Sequence, residues 1–92
     1  MIESFKHKGL KFFFEKGDFS KIKSIHRKRI RLILTLLHAA SDIKDMNFPG
    51  SDLHALKGEK QGFWSVRVSG NWRIIFRFEN SNAYDVDYID YH

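Results

Sequence analysis

The fold of this chain is decided by one stretch, WSVRVSGNWRIIFRFENSNAYDVDY, which spans residues 64–88. Apolar and polar residues alternate along residues 64–68 and again along residues 72–78. This period of two is typical of strands that bury one face and expose the other. A third alternating run at residues 84–89 follows the turn-forming residues 80–82. The stretch therefore predicts a meander of three antiparallel strands.

The first hairpin of this meander is expected to pair Val66 with Ile74, because this register sends both apolar rows to one face. The turn then spans residues 69–71. Arg67 consequently lies opposite Arg73, and two like charges in such a pair are destabilising unless an anion or a carboxylate lies between them. We therefore expect either a bound phosphate or an internal ion pair at this point of the sheet.

The second hairpin contains the carboxylates that could form such an ion pair. One register places Arg77 opposite Asp85. In that register Asp87 lies diagonally from Arg73, and a shift by two residues would put these two directly opposite each other. Both registers keep the apolar faces together, so the sequence leaves open whether Arg73 binds a phosphate or an internal carboxylate.

Residues 8–16 and 24–40 repeat their apolar side chains at helical rather than strand spacing. Gly17 is a natural end for the first helix, and Pro49 separates the second helix from the strands. A chain of 92 residues of which 42% are hydrophobic can form one packed core but not two. We predict a single α+β domain over residues 1–92, with an N-terminal strand and two helices packed on one face of a mostly antiparallel sheet.

The aromatic residues are expected in the core rather than as stacking platforms for RNA bases. This applies to the three phenylalanines of residues 12–14 and to Trp64 and Trp72, which the alternation turns toward the helices. Three histidines are interpreted as surface or packing residues, namely His7, His26 and His38.

The charge of the chain favours an anionic partner, of which nucleic acid is the commonest. Sixteen Lys and Arg against 11 Asp and Glu give a formal net charge of +5. Much of the excess lies in residues 21–31, which contain no acid, and a polyanion such as ribosomal RNA would relieve the repulsion among them. A solvated helix face is the alternative. The basic residues are Lys21, Lys23, Arg27, Lys28, Arg29 and Arg31.

The sequence has no feature of a secreted, membrane or metal-binding protein. It lacks cysteine, its first residues have no apolar signal-peptide core, and no run approaches the ~20 apolar residues of a membrane span. We therefore expect a cytoplasmic protein without a membrane partner. The candidate ligands His54, Asp90 and His92 lack the close spacing of a metal site, so neither a metal nor another cofactor is expected.

Three short groups, residues 53–58, 71–74 and 90–92, carry the side chains that chemistry at a phosphodiester requires. They supply cations, imidazoles, a carboxylate and a phenol, which can bind a phosphate and transfer protons without a metal. Each group taken alone also has a structural interpretation, such as an ordinary loop histidine or a frayed terminus. The side chains concerned are His54, Lys57, Arg73, Asp90, Tyr91 and His92.

The motifs LHALKG at residues 53–58, WS at 64–65, NWRI at 71–74 and the ending DYH at 90–92 resemble those of HigB toxins in the RelE/ParE superfamily. The resemblance spans essentially the whole chain, and the order and spacing of the motifs carry it. It implies a RelE-like, microbial-RNase-like fold. It also implies a toxin of a type II toxin–antitoxin system that cleaves messenger RNA in the ribosomal A site. The implied partners are mRNA, the ribosome with its 16S rRNA, and a HigA-like helix-turn-helix antitoxin.

The resemblance implies that the six side chains of the three groups form the active site. The expected reaction is attack of the ribose 2′-hydroxyl on the adjacent phosphate, which needs a base, an acid and a cation. Asp90 or His54 is the candidate base, and His92 is the candidate acid. Arg73 would bind the phosphate through its two-pronged guanidinium, with Lys57 as a second positive charge.

The remaining assignments concern substrate contact. Tyr91 is expected to stack on an RNA base or to orient it. Arg67 and Asn71 are assigned, with the basic residues of 21–31, to the surface that binds substrate and rRNA. Two alternatives stay open: a ParE-like toxin that inhibits gyrase without cleaving RNA, and a basic RNA-binding module without catalysis. The gyrase inhibitors lack the full set of His, Lys, Arg and Asp-Tyr-His found in this sequence.

Overall fold

A computed structural model describes residues 1–91 of the chain. Two helices pack against a four-stranded antiparallel sheet whose strands lie in chain order. The helices are α1 (Lys8–Lys16) and α2 (Arg27–Ala39), and the strands are β1 (His54–Ala55), β2 (Trp64–Ser69), β3 (Trp72–Glu79) and β4 (Asn82–Asp90). Short 3-10 turns occupy Ser24–His26, Ile43–Met46 and Gly58–Lys60. The predicted α+β class is confirmed.

The N-terminal segment is shorter as a strand than expected. Ile2 and Phe5 form isolated parallel bridges with Ala83 and Val86 of β4. The hydrogen bonds of this segment to β4 extend as far as the carbonyl of Val86, which accepts from the N–H of Lys6 at 2.9 Å. The segment therefore pairs with the N-terminal half of β4, along the edge of the sheet, and does not lie on a sheet face.

The core lies between the helices and one face of the sheet, as the two periodicities predict. Fully buried side chains of α2 meet those of β2, β3 and β4, among them Ile30, Ile33, Leu34, Leu37, Val66, Ile74, Phe76 and Val86. In α1, Leu10 and Phe13 are buried, but Phe12 is 40% exposed. The expectation that all three phenylalanines are core residues was wrong, because consecutive residues of a helix point about 100° apart.

The first hairpin has Arg67 opposite Arg73, as predicted. Its turn differs from the prediction, because residues 70–71 alone join the strands rather than residues 69–71. The pairing of β2 with β3 shifts between Arg67 and Ser69, and this bulge takes up the additional residue.

The second hairpin follows the first of the two predicted registers in its outer half, where Arg73 lies opposite Ile89 and Asp87 lies diagonally from it. Nearer the turn a bulge shifts the pairing by one residue, and Asp85 adopts a φ of +55° there. Tyr84 therefore lies opposite Arg77 on the face without helices, although the alternation grouped it with the core residues.

Candidate active site

The face of the sheet without helices, called here the helix-free face, carries Arg67 and Arg73 side by side. In the neighbouring row across the sheet, His54 of β1 pairs with Ser65 of β2, and Ser65 pairs with Ile75 of β3. Because neighbouring strands are about 4.8 Å apart, β1 and β3 are about 10 Å apart. Imidazole and guanidinium groups thus occupy one face, on strands that are separated by β2.

Within residues 1–91, the hydrogen bonds of the Arg73 guanidinium go to backbone carbonyls. Its Nη1 donates to the Gly70 carbonyl at 2.8 Å and to the Trp72 carbonyl at 3.2 Å. Its Nε is buried without a hydrogen-bond partner among residues 1–91. Leaving a charged donor buried and unpaired is costly, and an anion bound to the same guanidinium would offset part of that cost.

The internal carboxylates do not neutralise Arg73. Within residues 1–91 both ion pairs are formed by Arg77, with Asp85 at 3.0 Å and with Glu79 at 3.1 Å. The Asp87 carboxylate instead accepts the backbone N–H of Tyr88 at 2.9 Å. The structure therefore contradicts the internal ion pair as the partner of Arg73.

His54 is exposed at the start of β1, with a defined ring orientation. Its Nδ1 lies 2.9 Å from the carbonyl oxygen of Asp52. A carbonyl can only accept a hydrogen bond, so Nδ1 carries the hydrogen and Nε2 keeps its lone pair when the ring is neutral. His54 thus presents Nε2 as a possible proton acceptor.

The loop after β1 carries Lys57, which is exposed. The preceding Leu56 is 5% exposed, and its N–H donates to the Phe63 carbonyl at 2.9 Å. Gly58 then takes a φ of +69°, which turns the chain directly after the lysine. A buried anchor and a tight turn therefore hold Lys57 three residues from His54.

The C-terminal residues reach the same end of the sheet as Arg73. The N–H of Tyr91 donates to the Asn71 carbonyl at 2.7 Å, and Tyr91 is 38% exposed. Asp90 pairs with Trp72, whose side chain packs on the helix side, so strand alternation assigns Asp90 to that side too. His92 lies outside the described residues. The structure brings Arg67, Arg73 and His54 to one face and Asp90 to the other.

Ser65 is a further candidate site residue, to which the sequence analysis assigned no role. It lies between His54 and Ile75 in the row described above, it is fully buried, and its Oγ has no partner among residues 1–91. Its signals in the sequence were its place in the WS motif and in the polar row of an alternating strand.

The basic residues of the segment 21–31 differ in what their side chains contact. Arg29 donates to the carbonyls of Gly50 at 2.9 Å and Arg67 at 3.3 Å, which joins α2 to the sheet. Arg27 stacks on Phe19 at 3.7 Å. Arg31 lies over Phe13 and Lys23 over Trp72. No acid forms an ion pair with this segment within residues 1–91.

His26 is a buried packing residue beneath this segment. Its Nδ1 lies 2.6 Å from the Tyr88 hydroxyl, and its ring packs against Trp72 at 5.6 Å. Burial and, second, the charge of Lys23 lower the pKa of the His26 imidazole. Burial also raises the pKa of Tyr88. The spacing of His26 four residues before Ile30 is the signal that it belongs to the buried stripe.

The buried His26 predicts a loss of stability in acid. Since its pKa is lowered in the folded state, its contribution is complete above 6.5, the ordinary histidine value, and is lost as the pH falls below it. Urea unfolding at pH 7.5 and pH 5 should show a smaller pH-dependent loss in His26→Gln, which retains a hydrogen-bonding side chain without titrating. Equal losses in both proteins would contradict this assignment.

No helix within residues 1–91 is long and apolar enough to cross a membrane. In the same part of the chain, no three His, Asp or Glu side chains are grouped as they would be around a metal ion.

The architecture is shared with a solved structure. The chain superposes on a chain of the YoeB–YefM complex from Staphylococcus aureus with a TM-score of 0.58 at 13% identity, covering 100% of this chain and 98% of the other. At this identity the likeness concerns the fold alone.

Sequence comparison gives the family. Residues 3–92 match the model of HigB-like toxins, described as RelE-like toxins of type II toxin–antitoxin systems. The chain is 47% identical to "Endoribonuclease HigB" of Proteus vulgaris over 92 residues, with both chains covered completely. It is 30% identical to an uncharacterized protein of Haemophilus influenzae, over 98% of this chain and 90% of the other. The chain belongs to the HigB-like toxins, and the expected resemblance is confirmed.

Proposed function

We propose that this chain is an endoribonuclease toxin that cleaves messenger RNA in the ribosomal A site and thereby inhibits translation. The observation that carries the proposal is the pair Arg67–Arg73, which has no internal carboxylate and lies on the same face as His54. The name of the Proteus vulgaris relative, an endoribonuclease, supports RNA as the substrate.

The reaction is attack of the ribose 2′-oxygen on the neighbouring phosphorus. His54 Nε2 takes the proton of the 2′-hydroxyl while the bond between phosphorus and the 2′-oxygen forms. Arg73 binds the non-bridging phosphate oxygens, where negative charge increases in the transition state, and Lys57 adds a second cation. The bond to the 5′-oxygen breaks, and an acid, for which His92 remains the candidate, gives that oxygen a proton. The products are a 2′,3′-cyclic phosphate and a 5′-hydroxyl.

His54 is preferred over Asp90 as the base, because its strand position faces the same side of the sheet as Arg73. Tyr91 and Asn71, which are hydrogen-bonded to each other through their backbones, are assigned to contact of the substrate bases.

The ribosome is the proposed RNA partner of the segment 21–31. Binding should weaken steeply with salt, because each phosphate contact releases counterions. Lys28 is exposed on α2, so Lys28→Glu should reduce the slope of log affinity against log salt by about 1. Filter binding to vacant ribosomes at several KCl concentrations measures this, with Lys44→Glu as a control outside the segment. An affinity that does not change with salt would reject the segment as an rRNA-binding surface.

A HigA-like helix-turn-helix protein is the proposed antitoxin, and the cytoplasm, which holds the ribosomes, is the proposed location. The type II toxin–antitoxin family supports a protein antitoxin as partner.

Purified components test the function against the gyrase alternative. The chain should cut mRNA bound to programmed ribosomes and leave supercoiling by gyrase unchanged. Inhibition of gyrase with intact mRNA would overturn the proposal, and tight RNA binding without any product would favour a non-catalytic module.

A further inference from the structure

A cleft outside the candidate active site lies beside the outer edge of β4, where the N-terminal segment turns away into α1. Its volume of about 460 Å³ falls within the range of ligand pockets, roughly 300–1,000 Å³. The side chains relevant to binding are Lys6, Lys8, Phe12, Lys21 and Asp87. The cleft lies at the β4 edge of the sheet, whereas β1 with His54 forms the opposite edge.

The cleft is positively charged. Three lysines against one aspartate leave a net charge of +2, because 3 − 1 = 2. Both ion pairs within residues 1–91 are formed by Arg77, so none of these lysines is in one. An anion bound in the cleft would therefore meet cations that no ion pair neutralises.

Phe12 gives the cleft an exposed aromatic surface. Its side chain is 40% exposed, and Lys16 Nζ lies 5.7 Å from the ring centroid. Aromatic rings combined with basic side chains are the usual means of holding single-stranded nucleic acid, because bases stack on the rings and phosphates bind the cations.

The fold holds the walls of this cleft in place. His7 Nδ1 accepts the N–H of Leu10 at 3.1 Å and so caps α1, and its ring packs against Tyr88 at 5.5 Å. Lys21 lies so close to Gly9 that a side chain at Gly9 would collide with its Cβ. Lys6 and Lys8 therefore flank the capped start of α1, and Lys21 packs against it.

We propose that this cleft binds one nucleotide of the single-stranded RNA substrate. The base stacks on Phe12, the lysines bind the flanking phosphates, and the Asp87 carboxylate accepts a hydrogen bond from an exocyclic amino group of the base. This inference rests on the proposed function, since it supplies a subsite for the RNA that the helix-free face cleaves.

The test is binding of a six-nucleotide RNA that carries one 2-aminopurine and 2′-O-methyl groups, which prevent cleavage. Stacking on Phe12 should quench the 2-aminopurine fluorescence. Phe12→Ala should raise Kd about tenfold and reduce the quenching, as expected for loss of one stacked base. Phe19→Ala is the matched control, since Phe19 is 45% exposed but its ring is covered by Arg27, and its Kd should be unchanged.

The lysines are tested separately. Replacing Lys6 and Lys8 together by Ala should lower the slope of log Kd against log salt by about 1.4, or 0.7 for each lost phosphate contact on a single strand. If the lysine variant weakens binding but Phe12→Ala does not, the cleft attracts RNA by charge alone and the stacking site is rejected. Equal binding by all variants also rejects it.

Arg73→Ala distinguishes failure of the cleft from failure of the proposed function. This variant should retain the quenching of the methylated RNA while losing cleavage on ribosomes. Undiminished cleavage by Arg73→Ala would overturn the proposed function. Loss of cleavage in Arg73→Ala together with unchanged binding by Phe12→Ala would overturn the cleft alone.

Discussion

Arg73→Ala should lower the rate of mRNA cleavage on programmed ribosomes by about 10² to 10³, which corresponds to about 2.7–4 kcal/mol of lost transition-state stabilisation. The guanidinium has only carbonyl partners and a buried, unpaired Nε, so its removal breaks no ion pair within residues 1–91. The folded chain should therefore be retained. Single-turnover cleavage of a labelled message, with circular dichroism to confirm folding, measures the effect.

Arg77 provides the matched control on the same strand and face. Its charge is neutralised by Asp85 and Glu79 in exposed ion pairs, which contribute at most about 1 kcal/mol each. Arg77→Ala should therefore cleave at nearly the wild-type rate. Arg73→Lys should recover part of the activity, since it restores the positive charge but cannot form the bidentate hydrogen bonds of a guanidinium. Equal loss in Arg73→Ala and Arg77→Ala would show that the face needs positive charge but not Arg73 itself.

His54→Ala should reduce the cleavage rate by about 10² to 10⁴, the usual contribution of a general base. The hydrogen bond from Nδ1 to the Asp52 carbonyl leaves Nε2 to accept the proton of the 2′-hydroxyl. Single-turnover cleavage rates of the wild-type chain and His54→Ala, with circular dichroism to confirm folding, test this.

His54→Gln separates proton transfer from ring position. The amide can still donate to the Asp52 carbonyl but cannot take a proton, so the rate should be as low as in His54→Ala. If His54→Gln cleaves at the wild-type rate, another residue is the base, with Asp90 the first candidate.

The sheet could be predicted from the sequence because a period of two allows few registers once one face must be buried. The prediction that Arg67 lies opposite Arg73 followed from that rule. The two bulges could not be predicted in this way, because a bulge depends on which residue can adopt an unusual backbone conformation, such as the φ of +55° at Asp85. For this reason Arg77 lies opposite Tyr84 and not, as one of the predicted registers had it, opposite Asp85.

The candidate site was predictable only as a set of residue types. Composition and motifs identified His54, Lys57 and Arg73, but not which carboxylates pair with which arginines. One register placed Asp85 directly opposite Arg77; in the structure a bulge puts Tyr84 in that position, and Asp85 still forms an ion pair with Arg77. The exposure of Phe12 could not be predicted for a similar reason, because a run of three phenylalanines does not show which of them lies on the buried face of the helix.

The central claim is that Arg73 acts in cleavage of messages during translation. The most direct test maps 5′ ends of mRNA after brief expression of the chain in translating cells, with Arg73→Ala in parallel. We expect cuts at a constant position in the codon frame with the wild-type chain, and their disappearance with the variant. Intact messages accompanied by stalled replication, or identical cuts with both chains, would contradict the account.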